Sequence, residues 1–428
     1  MGLLIKNVTI VTMDEDRNII DEGYIYIKED KIQCMAKGEF EGTEEAYSVI
    51  DGKGYCAIPG LINCHTHAAM TLLRGYGEGL PLMRWLNEKI WPMERKFREE
   101  HINIGTKLAC LEMLRTGTTT FNDMYFFQEE VLKVTEELNI RAVLGLPIIG
   151  EGWQEQLTAA LSLNSNLRKN IGNSNLIKTM LAPHSAYTLS YEALKEIGAC
   201  AKADNLGIHI HAAETQDELE IIKGKYDKTP CELLYEAGIF DNKVVAAHCV
   251  HLTDSDMEIF KIKEVSAVYN PQSNMKLASG VPRIVEFLDN GINVCFGTDG
   301  TSSNNNLNMF EEMETGALLQ KLWYKDPTKL DGKTVLSMAT VKGAEALSYE
   351  KLGVLKEGYL ADIVLLNLNK YSFTPLHDIY SNIVFSANGS EVETVIVNGK
   401  VVMEKGKFKE IDEEKILYDC NKMCKMFI

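Results

Sequence analysis

No apolar stretch in this chain approaches the ~18 residues that a membrane-spanning helix needs. A basic excess is missing as well. Lys and Arg total 44 against 61 Asp and Glu, a formal net charge of −17 over 428 residues. Nucleic acid and anionic membrane normally select a basic patch, so neither is expected as a partner. The ten cysteines, at 34, 56, 64, 110, 200, 231, 249, 295, 420 and 424, contain no CxxC pair and no framework spacing. Reduced thiols in a cytoplasmic protein are therefore expected, and no metal or redox role is expected of Cys420 and Cys424. The start MGLLIKNVTIVTMDED does not read as a secretory signal, and Lys6 stands where a myristoylation motif carries Ser or Thr. Hydrophobic residues at 45% and charged residues at 25% are ordinary globular values, which exclude disordered and collagen-like chains.

What is there falls into two patterns. Both ends read as short strands. Leu3–Val11, Gly23–Ile27 and Lys31–Met35 lie at the start; 361–366, Val392–Val397 and 400–403 lie at the far end, with Asn398-Gly399 as a hairpin turn. Neither end can bury a core alone. Residues 1–56 and 361–428 are expected to pair into one small β-sandwich domain, with 57–360 inserted between them. The insert alternates apolar strands with helix-period segments. Eight strands are expected at 57–64, 118–124, 141–148, 178–184, 207–214, 244–250, 266–271 and 293–298. Helices are expected between them, among them 104–115, 129–138, 191–204 and 216–224. Eight buried strands over roughly 300 residues fit an α/β fold of the (β/α)8 barrel type.

Such barrels carry function at the C-terminal ends of their strands. Here those ends are unusually polar: His65-Thr-His67, Asn122-Asp123, Pro183-His184-Ser185, His209-Ile-His211-Ala-Ala-Glu214, His248-Cys-Val-His251, Asn270-Pro-Gln-Ser-Asn274 and Thr298-Asp299-Gly300. Seven of the nine histidines sit there. His65 and His67 are two apart, so on a strand both imidazoles reach the same cavity. Imidazole favours zinc or iron over magnesium. His209 and His211 repeat the spacing; His211 lies nearer the strand end and is the favoured third ligand, with His209 a hydrogen-bonded neighbour beneath. With Asp299, three neutral imidazoles and a carboxylate leave room for water on a catalytic ion. Strand four carries its Lys178 at the wrong end to bridge two metals, and a His stands where the bridge would be, so one divalent ion is expected.

These residues resemble the amidohydrolase superfamily, aminohydrolase branch. The similarity is closer still. Pro59-Gly-Leu-Ile-Asn-Cys-His65, Trp91-Pro-Met-Glu94, Pro183-His184-Ser185, Asn270-Pro-Gln-Ser-Asn-Met-Lys276-Leu277 and Gly297-Thr-Asp-Gly-Thr-Ser-Ser-Asn304-Asn305 look like the 5′-methylthioadenosine/S-adenosylhomocysteine deaminases. The resemblance covers nearly the whole chain. It implies His65, His67, His211 and Asp299 as metal ligands, Glu214 as the catalytic Glu, and His248 as the His that orients the attacking water. It implies Glu94 and His184 as residues that hold the nucleoside. One departure stands out. Family members carry an Arg in the loop after strand three; here the loop reads Ile149-Gly-Glu-Gly-Trp-Gln-Glu-Gln156, and the next arginine is Arg168.

The implied activity is metal-dependent hydrolysis of an adenine nucleoside with release of ammonia. S-adenosylhomocysteine, 5′-methylthioadenosine, adenosine and 5′-deoxyadenosine are candidate substrates. The alternative is a free-base or triazine aminohydrolase or chlorohydrolase on the same scaffold. Zinc is the expected ion, with Fe2+ or Mn2+ as substitutes. In the expected chemistry Glu214 protonates ring N1 and Asp299 takes the water proton to the leaving amine. Glu94 is expected to accept hydrogen bonds from the ribose hydroxyls, and Leu80–Leu86 to form a helical lid near the 5′ group, with Met83 and Trp85 facing either that group or the core. The partner is a small molecule, and assembly into a homo-oligomer is left open.

Overall fold

A computed structural model describes residues 2–16, 18–42, 47–170 and 175–425; the side chains of Tyr47, Arg168 and Asn170 lie outside the described set. Eight strands run parallel in sequence order: Leu61–Thr66, Thr118–Met124, Arg141–Gly145, Ile177–Pro183, Gly207–Ala212, Val244–His248, Ser266–Tyr269 and Val294–Phe296. Nearly every residue in them is buried, which suits strands covered by helices outside and packed side chains inside. The eighth and first strands meet through hydrogen bonds at their ends rather than a regular ladder. Asp299 N–H donates to the His65 carbonyl at 2.9 Å, and Thr298 N–H to Asn63 Oδ1 at 3.0 Å. This seam closes the (β/α)8 barrel and sets His65 beside Asp299.

Helices separate the strands. Tyr191–Asp204 starts on Ser190, whose hydroxyl accepts from Ala193 N–H; Gln216–Tyr226 starts on Thr215, which accepts from Glu218 N–H. The second cap follows Glu214 directly, so it fixes where the fifth strand hands over to its helix. Among the described residues no helix is long and apolar enough to cross a membrane.

Both chain ends build one mixed nine-stranded sheet, including Gly2–Val11, Ile19–Lys28, Lys31–Lys37, Ile363–Asn367, Val392–Val397 and Lys400–Glu404. Period-two alternation divides its faces. Ile363 and Leu365 join a core formed with Ile5, Ile10 and Ile25. Val364 and Leu366 join the barrel's core. The fully buried Arg141 guanidinium ties the two units, donating to both oxygens of Asp362 at 2.9 and 2.8 Å.

Three expected elements differ; the strand expected at 141–148 divides into Arg141–Gly145 and Pro147–Ile148. The strand expected at 57–64 is two strands broken at Gly60. Tyr55–Pro59 pairs with Ile363–Asn367 in the small sheet, and Leu61–Thr66 opens the barrel. A Cβ at Gly60 would meet the Thr119 side chain at 2.1 Å, so only glycine lets the chain cross there. The expected β character also does not reach the end of the chain. Glu413–Cys424 is a helix against Glu99–Arg115 of the barrel, joined by Ile416, Cys420, Ile104 and Leu111. Cys420 Sγ lies 3.5 Å from the Ile104 carbonyl and Cys424 Sγ 3.6 Å from that of Leu72, so both thiols face backbone.

Candidate active site

The histidines converge at the C-terminal mouth of the barrel, and backbone carbonyls set their tautomers. His67 Nδ1 lies 2.7 Å from the Met124 carbonyl, and His211 Nδ1 lies 2.8 Å from that of His184. A carbonyl only accepts, so both Nδ1 atoms carry the proton and both Nε2 atoms present lone pairs. Those two Nε2 atoms are 3.4 Å apart. Asp299 Oδ1 is 3.4 Å from His65 Nε2 and 3.3 Å from His67 Nε2. His65 Nε2 is fully buried and has no hydrogen-bond partner. Acceptors gathered without protons repel one another, unless a cation sits among them. The spacing fits one: a tetrahedron with bonds of about 2.0 Å has edges of about 3.3 Å. His65, His67, His211 and Asp299 could therefore hold one divalent ion. His248 also lies within reach of His65 and Asp299.

Asp299 is anchored from several sides. Ser273 and Ser303 hydroxyls donate to its Oδ2 at 2.6 and 2.8 Å, and Gly300 N–H donates to Oδ1 at 2.7 Å. Burial alone would raise its pKa, but the His65 contact and the surrounding imidazoles hold it well below the ordinary carboxylate value. Glu214 is the contrast. Burial raises its pKa, aided by the Asp299 charge and opposed by His248. Two carboxyl groups in one cleft are thus pushed in opposite directions, the arrangement that separates an acid from a base. His248 Nε2 lies 3.8 Å from Glu214 Oε2, while its Nδ1 lies 2.9 Å from Asn274 Oδ1. Burial would depress His248; the Glu214 and Asp299 charges and the Asn274 bond lift it above its usual value. Ala213, His248 and Asp299 all have positive φ, at 49°, 73° and 62°. Such conformations are costly for non-glycine residues and concentrate at functional sites.

The cleft above this pole is walled by a helical stretch. Leu82–Trp85 continues through a π turn at Leu86–Ile90 into Trp91–Glu94. Leu82, Leu86, Ile90 and Glu94 recur every four residues and face the cleft together, with Trp85 and Trp91 beside them; Met83 is not among its walls. Glu94 Oε1 accepts from the Tyr125 hydroxyl at 2.8 Å, and burial raises the Glu94 pKa. His184 lies beside His211 with ring centres 4.6 Å apart, and burial pushes its pKa down to about 3, so it is neutral.

Residues 56–402 match the amidohydrolase family. The chain is 62% identical over 426 residues to a 5-methylthioadenosine/S-adenosylhomocysteine deaminase of Clostridium tetani, covering 99% of each chain. The chain belongs to the amidohydrolase family. That whole-length match puts it with the methylthioadenosine/S-adenosylhomocysteine deaminases, hydrolases of carbon–nitrogen bonds in a metal-dependent family. It is 43% identical over 424 residues to a 5′-deoxyadenosine deaminase of Methanosarcina mazei, covering 98% of this chain and 97% of the relative. A zinc-bound adenosine deaminase from Xanthomonas campestris superposes with a TM-score of 0.95 at 31% identity, over 99% of this chain and 98% of the other.

Other side chains of this amidohydrolase sort by position. His209 Nε2 lies 2.8 Å from His65 Nδ1, beneath the pole, while His251 Nε2 turns to the Ser279 carbonyl at 2.8 Å. Lys178 sits at the opposite end of the barrel, its Nζ 3.7 Å above the Tyr349 ring and donating to the Ser348 carbonyl at 2.6 Å. Several contributors had no role assigned from the sequence. Tyr125 pairs with Glu94, Asn274 orients His248, and Ser273 and Ser303 anchor Asp299. Glu218, one helical turn beyond Glu214, accepts from the Glu214 N–H at 2.8 Å. Asn274, Ser273 and Ser303 lay inside quoted motifs; nothing in spacing marked Tyr125.

Proposed function

We propose that this chain hydrolyses the exocyclic amine of adenine nucleosides with a modified 5′ position. S-adenosylhomocysteine would give S-inosylhomocysteine and 5′-methylthioadenosine would give 5′-methylthioinosine; adenosine and 5′-deoxyadenosine are further candidate substrates. One observation carries the reading. A buried Glu214, biased toward its neutral form, faces His248 at 3.8 Å beside the clustered His67 and His211 Nε2 atoms and the Asp299 carboxylate.

His65, His67, His211 and Asp299 would hold the metal, and the donor set favours zinc. When bound, that ion lowers the pKa of water toward neutrality. The remaining steps belong to this chain. Glu214 gives its proton to ring N1, which makes C6 electron-poor. Water oxygen bonds to C6, guided by His248, and Asp299 accepts one water proton. Asp299 passes that proton to the exocyclic nitrogen as the C6–N bond breaks, and ammonia leaves. Glu214 recovers a proton from the new hydroxyl as the C6 carbonyl forms. Glu94 accepts from the ribose hydroxyls and His184 hydrogen-bonds the nucleoside. We infer a cytoplasmic setting from the ten cysteines, none of which forms a disulfide among the described residues.

The free-base alternative gives the paired Glu94 and Tyr125 no ligand atoms to meet. The test is ammonia release from each nucleoside and from guanine. Loss of turnover with a chelator and recovery with zinc are expected. Turnover of guanine without turnover of any nucleoside would reject the proposal.

A further inference from the structure

The mouth of the site has a charge pattern that the chemistry at C6 does not require. Among the described residues lining the cleft there is no Lys and no Arg; its ionisable acids are Glu94, Glu214 and Asp299. Away from the imidazoles the wall is apolar, with Leu82, Trp85, Leu86, Phe126, Ile149 and Leu277. Four cations on the segments flanking the cleft contact other groups. Arg84 donates to both Glu88 oxygens at 2.7 and 3.1 Å. Arg74 pairs with Glu112, and Lys276 Nζ lies 3.3 Å from Glu78 and 3.2 Å from the Ser302 carbonyl. Lys89 sits 5.9 Å above the Tyr76 ring. The loop after the third strand supplies no cation of its own; its Glu151 lies outside the cleft, in a neighbouring groove shared with Lys225.

We infer that this site selects adenine nucleosides whose 5′ substituent is small, neutral and apolar, and handles one with an amino-acid tail poorly. The inference rests on the deaminase reading and narrows its substrate class. With the reacting ring at the imidazole pole and the ribose at Glu94, the 5′ group meets this wall whichever way it leaves. A methyl or methylthio group gains by burial there, roughly fourfold in affinity per methyl-sized group. An α-carboxylate against the same wall loses water and finds no partner. A tail held out in solvent avoids that loss but forfeits the apolar contacts.

The experiment compares kcat/KM for ammonia release by the zinc-loaded full chain with 5′-methylthioadenosine, 5′-deoxyadenosine and S-adenosylhomocysteine. The first two should exceed the third by about tenfold to a hundredfold. Equal or better turnover of S-adenosylhomocysteine overturns the inference and leaves the deaminase reading standing. No ammonia from any nucleoside overturns the deaminase reading, and the inference with it. A folded Ile149→Arg variant adds a cation to the wall and should shift the ratio toward S-adenosylhomocysteine by about tenfold. An unchanged ratio in that variant overturns the missing charge as the cause.

Discussion

Replacing Glu214 by Gln keeps the shape of the side chain and removes the proton that the proposal spends on N1. Glu214 is buried, with its N–H held by Glu218 and its carboxyl facing His248. Neither backbone bond nor metal-pole contact depends on its acidity, so fold and metal content should survive. A positioned general acid contributes about 10²–10⁴-fold, equivalent to about 3–5 kcal/mol of barrier. Glu214→Gln should therefore lose that much in kcat, with a far smaller change in KM. The assay is steady-state ammonia release from 5′-methylthioadenosine, run beside elemental analysis of zinc on the same sample. A variant with full zinc and a kcat within a few-fold of the parent would refute the shuttle. A variant that lost its zinc would show instead that Glu214 helps hold the ion, contrary to the ligand assignment.

Other substitutions separate binding, orientation and stability. His65→Ala should lose zinc; a full complement by elemental analysis would reject His65 as a ligand. Asn274→Ala frees the His248 ring to rotate and should cost about tenfold to a hundredfold in kcat while zinc stays bound; unaltered kcat would remove Asn274 from the machinery. If Glu94 accepts from both ribose hydroxyls, 2′-deoxyadenosine should be a much poorer substrate than adenosine, and Glu94→Gln should shrink that difference. Arg141→Met leaves Asp362 charged and buried without its partner, which should cost about 3–5 kcal/mol in denaturant unfolding. Arg141→Met with Asp362→Leu together should recover much of that loss, and failure to do so would deny the pair its role at the junction.

The barrel was legible because its strands are short apolar runs ending in polar clusters. Thr118–Met124, Tyr191–Asp204 and Val392–Val397 fall where the sequence puts them. The break at Gly60 was not legible. Residues on both sides are apolar, and only the crossing against Thr119 reveals that one run serves two sheets. The choice of His211 over His209 was open on spacing alone, since both share the i, i+2 pattern. In the structure His211 Nε2 faces His67, while His209 lies one layer down against His65. Tyr125 follows strand two, and its pairing with Glu94 joins elements 31 residues apart, so no local pattern could signal it.

What local pattern could least signal is how the lone pairs are aimed. The His67 and His211 tautomers depend on the carbonyls of Met124 and His184, not on side chains. Those carbonyls are fixed by where the second and fourth strands end. A side-chain substitution at Met124 or His184 leaves the carbonyl in place, so the imidazole orientation is a property of barrel geometry. The groups that guide water and move its proton follow the opposite rule. Asp299 Oδ2 is set by Ser273 and Ser303, and His248 by Asn274, each a removable side chain on the Pro271–Lys276 helix after strand seven or the turn after strand eight. The His67 and His211 ligands should therefore tolerate side-chain change beside them, whereas proton transfer should be sensitive to it. Ser273→Ala should leave zinc content near normal yet lower kcat, and Met124→Leu should alter neither by more than a few-fold. The reverse outcome, zinc lost in Met124→Leu and kcat intact in Ser273→Ala, would mean that side-chain packing rather than the carbonyl holds His67.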